Sequence, residues 1–329
     1  MTVSVLIPAY RPHFLAQAIA SVLAQAEADY ELLISDDSGG EDVLPIVERF
    51  RDPRISYSRT AGREGATANV RRLWGLAQRP RVKYLFDDDV LLPNALRDLT
   101  DLLMQHQGAG VAFGHRDIVD DAGRLRGQPR LLAPDKSIAF DAVQMARAIV
   151  PTCHNRVGEL SNVLIDRDAD VTLDDLYRYG PFEIDGLGDV ALYLNAARKR
   201  AVVGVGRTVG QFRRHADQNT SARRSYAFAM GVCEWELFVR GEFAAGRLTV
   251  EEGLSATAKL DRYYDVATEF LSGAATLKAA LPALEARIRA GDRDLLDTAF
   301  QAFWAGLVAD LRAELRPAEG GPPNERRGR

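Results

Sequence analysis

Val82-Lys83-Tyr84-Leu85-Phe86-Asp87-Asp88-Asp89-Val90-Leu91-Leu92-Pro93 is the stretch whose reading decides the fold. Its first five residues read as a short buried strand, and the strand meets solvent at three consecutive carboxylates. Like charges in a row repel one another, and a strand end has no structural use for them, so a divalent cation is the simplest compensation. The competing reading is a solvated acidic loop, the usual fate of a charge run. Pro93 then opens a helix expected over 94–105.

Working outward toward the N-terminus, strand and helix signals alternate. Val3-Ser4-Val5-Leu6-Ile7 is a strand-like run, and residues 12–25 carry Phe14, Leu15, Ala18, Ile19, Val22 and Leu23 at helical spacing. A strand is expected over 30–35, a helix over 41–50, a brief strand over 55–57 and, after Gly62 and Gly65, a helix over 67–77. Such a βαβαβαβ order implies a parallel or mostly parallel sheet with ligands at the carboxyl ends of its strands. Toward the C-terminus strands are expected at 111–113, 163–165 and 201–205, with a long polar stretch over 117–136 read as a hairpin or an acceptor-side loop. A helix is expected over 191–199. Beyond about residue 221 the pattern is nearly all helical, including a capping-box start at Thr249 with Glu252.

The 329 residues suffice for one large α/β domain and a smaller helical region. Forty-two basic against 46 acidic residues give a net charge of −4 without a basic face, which argues against nucleic acid as a partner. Cys153 and Cys233 stand far apart, offer no disulfide framework or zinc pattern, and read as core or surface thiols. No basic leader precedes the first strand and no apolar run reaches the ~18 residues of a membrane span, so the expected location is cytoplasmic, with peripheral contact at the inner membrane face as an option.

Three further landmarks carry candidate chemistry. Ser35-Asp36-Asp37-Ser38-Gly39-Gly40 ends the second strand, where a carboxylate could hold a pyrimidine N–H or a ribose hydroxyl, or simply form an Asx turn. Asp189, after Gly186-Leu187-Gly188, heads a helix; it reads either as a dipole partner or as a general base for a hydroxyl nucleophile. In Gln211-Phe212-Arg213-Arg214-His215, the histidine could ligate a metal or donate to a diphosphate, and the arginines could neutralise a leaving group.

The order of these motifs resembles family 2 glycosyltransferases of the GT-A fold. It is carried by Val5-Leu6-Ile7-Pro8-Ala9-Tyr10, by Tyr30-Glu31-Leu32-Leu33-Ile34-Ser35-Asp36-Asp37-Ser38, by Gly65 and Ala68-Asn69, and by the aspartate triplet with Pro93. Gly158-Glu159-Leu160-Ser161-Asn162, Asp189 with Leu192 and Leu194, and Phe212-Arg213-Arg214-His215 extend it to about residue 220. The resemblance implies an α/β fold, a mostly parallel central sheet with flanking helices, over 1–220. A helical region is expected over 221–315 and a disordered tail over 316–329.

The resemblance also implies an inverting, metal-dependent transferase using a nucleoside-diphosphate sugar. Pro8, Ala9 and Tyr10 would pack around the base, Asp37 more than Asp36 would bond it, and Gly65 and Asn69 would belong to the same nucleotide site. Asp87 would lie near the ribose, Asp88 or Asp89 with His215 would hold Mg²⁺ or Mn²⁺, Arg213 and Arg214 would face the diphosphate, and Asp189 would be the base. The chain departs from the family's usual Asp-x-Asp-Asp by Phe86 and from its usual Glu-Asp by Gly188-Asp189, which leaves Asp185 and Glu183 as rival bases. The implied acceptor is a glycan, lipid-linked or protein hydroxyl in surface-glycan or secondary-metabolite synthesis. The other readings are an inactive scaffold that keeps the fold, and a nucleotidyltransferase, for which Ala9-Tyr10-Arg11-Pro12 lacks the expected glycine-rich basic loop. Aromatic residues Trp235, Phe238, Tyr263, Tyr264, Phe270, Phe300 and Trp304 read as helical core, with an acceptor groove or a homodimer face as the alternatives.

Overall fold

The computed structural model describes residues 2–26, 29–215, 226–269 and 271–315. The tail 316–329, Phe270 and the boundary expected at residues 220 and 221 lie outside them. The described residues form two compact units: residues up to 184 with 188–215, and residues 185–187 with those from 226 onward.

The first unit opens with β1 (Thr2–Ala9), buried from Val3 through Ala9, as befits a strand covered on both faces. In α1 (Leu15–Leu23), Leu15, Ala18, Ile19 and Val22 fall at i, i+3, i+4 and i+7 and are all buried, so the stripe read from the sequence is the packed face. The alternation continues through β2 (Asp29–Asp36), α2 (Val43–Val47), β3 (Ile55–Arg59), α3 (Ala66–Leu76), β4 (Arg81–Tyr84), β5 (Val90–Leu91) and α4 (Ala95–Gln105). Next come β6 (Ala109–Val119), β7 (Leu125–Gly127), β8 (Ser137–Phe140), α5 (Ala142–Ile149), β9 (Val163–Asp166) and α6 (Asp174–Tyr177). The unit closes with β10 (Arg178–Tyr179), β11 (Phe182–Glu183), α7 (Gly188–Lys199) and β12 (Ala201–Arg213).

Ten strands form one sheet in the order β3-β2-β1-β4-β9-β6-β12-β5, with β7 on β6 and β8 on β12. Strand β1 runs parallel to β2 and β4, β2 to β3, and β6 to β12. Strand β9 enters antiparallel between β4 and β6. The mostly parallel sheet implied by the alternation is therefore present.

Three elements differ from the sequence reading. Strand β4 stops at Tyr84, so Leu85 and Phe86 belong to the loop that carries the aspartates. Strands β6 and β12 run 11 and 13 residues, well beyond the few apolar residues that announce them. Buried His115 and Arg116 hide the pattern of β6. Glycines interrupt that of β12: a Cβ on Gly204 would come within 2.3 Å of the Phe113 ring, so glycine is there for close packing between the paired strands.

The second unit contains α8 (Tyr226–Ala244), α9 (Val250–Ala267), α10 (Ser272–Arg289) and α11 (Thr298–Leu315). The capping box at Thr249 and Glu252 is formed. Trp235, Phe238, Tyr264, Phe300 and Trp304 are buried, as the core reading of the aromatic set has it, and Tyr263 is half-buried. Both cysteines are buried thiols. The acidic residues buried on α8 are each partnered, as burial of charge requires. Glu236 pairs with Arg240 at 2.6 Å and accepts the Tyr264 hydroxyl at 2.8 Å, and Glu242 pairs with Arg247. Glu234 accepts the N–H groups of Asp185 and Leu187, each at 2.7 Å, and of Gly186. Among the described residues no helix is long and apolar enough to cross a membrane.

Candidate active site

A short strand pairing brings the acidic triplet to the histidine. Val90 and Leu91 of β5 pair antiparallel with Gln211 and Gly210 of β12. Residues just before Val90 therefore run beside residues just after Gln211. The loop 87–89 and the segment 213–215 meet there, 127 positions apart in sequence at the Asp88 to His215 contact.

The three aspartates then take three different positions. Asp87 is buried, and its Oδ2 accepts the N–H groups of Tyr10 at 2.6 Å and Arg11 at 2.7 Å, so it braces the loop that leaves β1. Burial pushes its carboxyl up to about 6 against those two donors. Asp89 is also buried, and its Oδ1 accepts the Arg213 N–H at 3.0 Å. Its Oδ2 has no hydrogen-bond partner among the described residues, and burial followed by the neighbouring Asp88 charge raises its carboxyl well above the ordinary range. Asp88 remains partly exposed, with Oδ2 3.0 Å from His215 Nε2. The His215 ring is 5.4 Å, centroid to centroid, from that of Phe14.

Arg213 is turned inward. Its guanidinium donates to the carbonyls of Asp88, Asp120 and Asp121 at 3.0–3.1 Å and to Gln17 Oε1 at 2.8 Å, and it lies 4.2 Å from the centroid of the Phe14 ring. Five donors in a fixed fork suit such a strut between the triplet loop, the β6–β7 turn and α1. Arg214 is exposed, its own N–H donated to the Val119 carbonyl.

Beneath the triplet lies Lys83, fully buried on β4. Its ammonium donates to the Tyr84 carbonyl at 2.9 Å and to the Ser161 carbonyl. Burial pulls it down to about 7, with the charge on Asp89 acting the other way.

At the end of β2 both carboxylates are buried and engaged. Asp36 accepts the Ser38 N–H and the Tyr57 hydroxyl. Asp37 accepts the N–H groups of Glu64 and Gly65 and the Thr60 hydroxyl, all at 2.8 Å. These bonds tie the 60–65 loop to β2 and place Gly65, at φ +95°, ahead of α3, where a side chain would be strained. Asn69 donates to the Ser35 carbonyl, while its buried Oδ1 has no partner among the described residues. Ala9 is fully buried beside Pro8, whereas Tyr10 is exposed, with Arg11 and Arg63 guanidinium carbons 5.2 and 5.6 Å from its ring centroid.

Asp189 stands in the first turn of α7, partly exposed, with Oδ1 accepting the Val190 N–H and Oδ2 accepting Asn155 Nδ2 at 2.7 Å. Burial, followed by the charge on Glu159, raises its carboxyl to about 7, with Arg116 and the two donors opposing. Gly188 is there for packing: a Cβ would lie 2.8 Å from the Leu176 carbonyl oxygen. The two rivals have other surroundings. Asp185 accepts the Tyr226 hydroxyl at 2.7 Å and pairs with Arg312 within the second unit, and Glu183 is exposed on β11. Sequence reading missed Asn155, Arg116 and Lys83. The Asn-x-x-Gly spacing ahead of Glu159 was the available signal for the first, since Asn and Gly at that spacing build turns.

A carboxylate oxygen and an imidazole nitrogen converge at Asp88 and His215, and both are ordinary ligands of Mn²⁺, while the carboxylate also suits Mg²⁺. Among the described residues no group of three or more His, Cys, Asp or Glu is arranged to enclose a cation. Two protein donors fit an ion whose remaining positions are filled by water and substrate phosphates, which is how Mg²⁺ is usually held.

Residues 4–161 match the family model for Glycosyl transferase family 2; Asp189 and His215 lie beyond that segment. The chain is 26% identical over 120 residues to UDP-Glc:alpha-D-GlcNAc-diphosphoundecaprenol beta-1,3-glucosyltransferase WfgD of Escherichia coli, covering 36% of this chain and 47% of that protein. It is 32% identical over 128 residues to GalNAc(5)-diNAcBac-PP-undecaprenol beta-1,3-glucosyltransferase of Campylobacter jejuni, covering 37% and 40%. The match therefore spans less than half the length of either relative. Among solved structures, S. aureus TarS residues 1–349 in complex with UDP-GlcNAc superimposes with a TM-score of 0.53 at 15% identity, over 93% of this chain and 92% of that one. The mannosyltransferase PcManGT from Pyrobaculum calidifontis, in complex with GDP-Man and Mn²⁺, gives 0.53 at 14% identity, over 95% and 85%. At such identities the likeness speaks to the fold, and the fold is GT-A. Through residues 4–161 the chain belongs to glycosyl transferase family 2.

Proposed function

We infer that this protein transfers a sugar from a nucleoside-diphosphate donor to an acceptor hydroxyl, with inversion, in a single displacement. The observation that carries the reading is the pairing of Asp88 with His215 at 3.0 Å on the same unit that holds the Asp189 carboxylate, raised to about 7. A general base works best when its pKa lies near the working pH, because it is then both ionised and basic enough to take the proton.

In this reading Asp189 removes the acceptor proton as the hydroxyl attacks the anomeric carbon, and no covalent sugar–enzyme intermediate forms. Asp88 and His215 would hold Mg²⁺ or Mn²⁺, which as a Lewis acid stabilises the charge on the departing nucleoside diphosphate. Asp89, fixed by the Arg213 N–H, sets the loop rather than reaching outward. Arg213 serves as its strut, and of the two arginines Arg214 faces the diphosphate. Asp36, Asp37, Gly65 and Asn69 shape the base pocket with Pro8, Ala9 and the exposed Tyr10 ring, and Asp87 sets the path of that loop from below. The names of both bacterial relatives specify undecaprenol-linked acceptors, which supports a lipid-linked glycan as acceptor and a role in surface-glycan synthesis. The acceptor would then be met at a membrane face.

The test is release of nucleoside diphosphate from UDP-glucose, UDP-GlcNAc, dTDP-glucose and GDP-mannose, with an undecaprenyl-diphosphate-linked sugar as acceptor, in Mn²⁺ or in EDTA. One donor is expected to turn over in Mn²⁺ only. Asp88→Asn and His215→Ala should each lower that rate roughly 100-fold, the several kcal/mol of charge stabilisation that the cation supplies. Turnover unchanged in EDTA would remove the metal from the account, and no turnover of any donor by folded protein would favour the scaffold reading.

A further inference from the structure

We propose that Asn155 is the positioning residue of the base, an amide that locks the Asp189 carboxylate against the 155–158 turn through a bond to Oδ2. The inference rests on the reading of Asp189 as base and assigns a residue that the motifs did not single out.

Three hydrogen bonds hold the Asn155 side chain. Oδ1 accepts the Gly158 N–H at 2.8 Å, and Nδ2 donates both to the Gly158 carbonyl at 2.9 Å and to Asp189 Oδ2 at 2.7 Å. The amide orientation follows from this network, since only Nδ2 has protons for the carbonyl and the carboxylate. Gly158 is at φ +114°, and a Cβ there would lie 2.6 Å from both Arg116 Nη1 and Asn162 Oδ1, so the turn has room for glycine alone.

The same carbonyl accepts the Tyr193 hydroxyl at 2.6 Å. Tyr193 follows Asp189 by four residues and so shares its face of α7. The turn is thus fastened to the helix at two points one turn apart, and one of them is the carboxylate itself. A base must sit within hydrogen-bond reach of the proton it takes, and an Asp side chain left to choose its rotamer would spend little time there.

The bond also acts on protonation. Charged groups around Asp189 are Glu159, which favours the neutral acid, and Arg116, which favours the carboxylate and is itself ion-paired with Glu159. The Tyr193 phenol beside it is held far above its ordinary range by burial, and His154, which feels the same Glu159 and Arg116, is pulled down by burial. Burial and Glu159 outweigh Arg116 and the two donors, and Asn155 with the Val190 N–H keeps the carboxyl from rising further.

Asn155→Asp is nearly isosteric, keeps the acceptor for the Gly158 N–H, and loses both donated bonds; Asn155→Ala removes the amide without adding charge. In full-length protein, both are expected to shift the acidic limb of kcat/KM upward by about one pH unit or more, with a tenfold loss at pH 6 that recovers by pH 9. Affinity for the nucleoside diphosphate should stay at the wild-type value in both variants. An unmoved limb in both variants overturns the inference while leaving Asp189 as base. Wild-type turnover in Asp189→Asn would instead overturn the base reading on which it stands.

Discussion

Asp189→Asn is expected to lower kcat about 10²- to 10⁴-fold, the range that a positioned general base supplies, and to leave donor affinity unchanged. The asymmetry follows from the structure. Asp189 sits at the start of α7 and touches Asn155 and Val190, whereas the triplet loop and β2 carry the groups assigned to the nucleotide. The pH dependence has a definite sign. The base must be ionised to act, and its carboxyl titrates at about 7 instead of near 4, so wild-type kcat/KM should climb tenfold per unit below pH 7 and level off above it. That limb should vanish in Asp189→Asn. Initial rates of nucleoside-diphosphate release between pH 5 and 9 provide the check. Retention of most of the activity would move the base elsewhere, with Glu159, whose charge acts on Asp189, the first candidate.

Lys83→Met should destabilise the first unit by about 1–3 kcal/mol, the usual cost of leaving buried acceptors without their donor. Lys83 is fully buried, holds the carbonyls of Tyr84 and Ser161, and feels the charge on Asp89. Its replacement leaves those two carbonyls short of a donor. Methionine fills similar volume, so the loss comes from charge and hydrogen bonding rather than from a cavity. Adding Asp89→Asn should recover part of the loss, because the Asp89 charge that favours the Lys83 ammonium goes with it. Urea unfolding of the single and double variants measures both. A loss below about 1 kcal/mol in Lys83→Met with no coupling to Asp89 would mean that Lys83 is neutral and merely packed.

The parts of the fold legible in the sequence were those with clean periodicity. The β1, α1, β2 and α4 segments bury the faces that their apolar spacing announces, and the motifs at their ends fall at the strand termini where a ligand site is built. Long strands β6 and β12 were obscured because glycine and buried polar residues interrupt the alternation. Within the site, identity of residue type was legible and division of labour was not. Three adjacent aspartates look alike in one dimension. Their separation into a loop brace, a partly exposed ligand candidate and a buried anchor depends on β5 pairing with β12, a contact between residues 90 and 211 that no local pattern encodes. Arg213 and Arg214 are the same case, one drawn inward by the carbonyls of Asp88, Asp120 and Asp121 and the other left at the surface. Asn155 escaped notice because its partner is 34 positions away.

Calorimetric titration of the full-length protein with UDP, dTDP and GDP, each with Mn²⁺ and with EDTA, tests the central claim most directly, with Asp88→Ala as the paired variant. The account predicts that one nucleotide binds in Mn²⁺, that its affinity falls sharply in EDTA, and that Asp88→Ala binds as weakly in Mn²⁺ as the wild type does in EDTA. Equal affinity with and without the cation in both proteins would contradict it, because Asp88 and His215 would then have no part in holding the diphosphate.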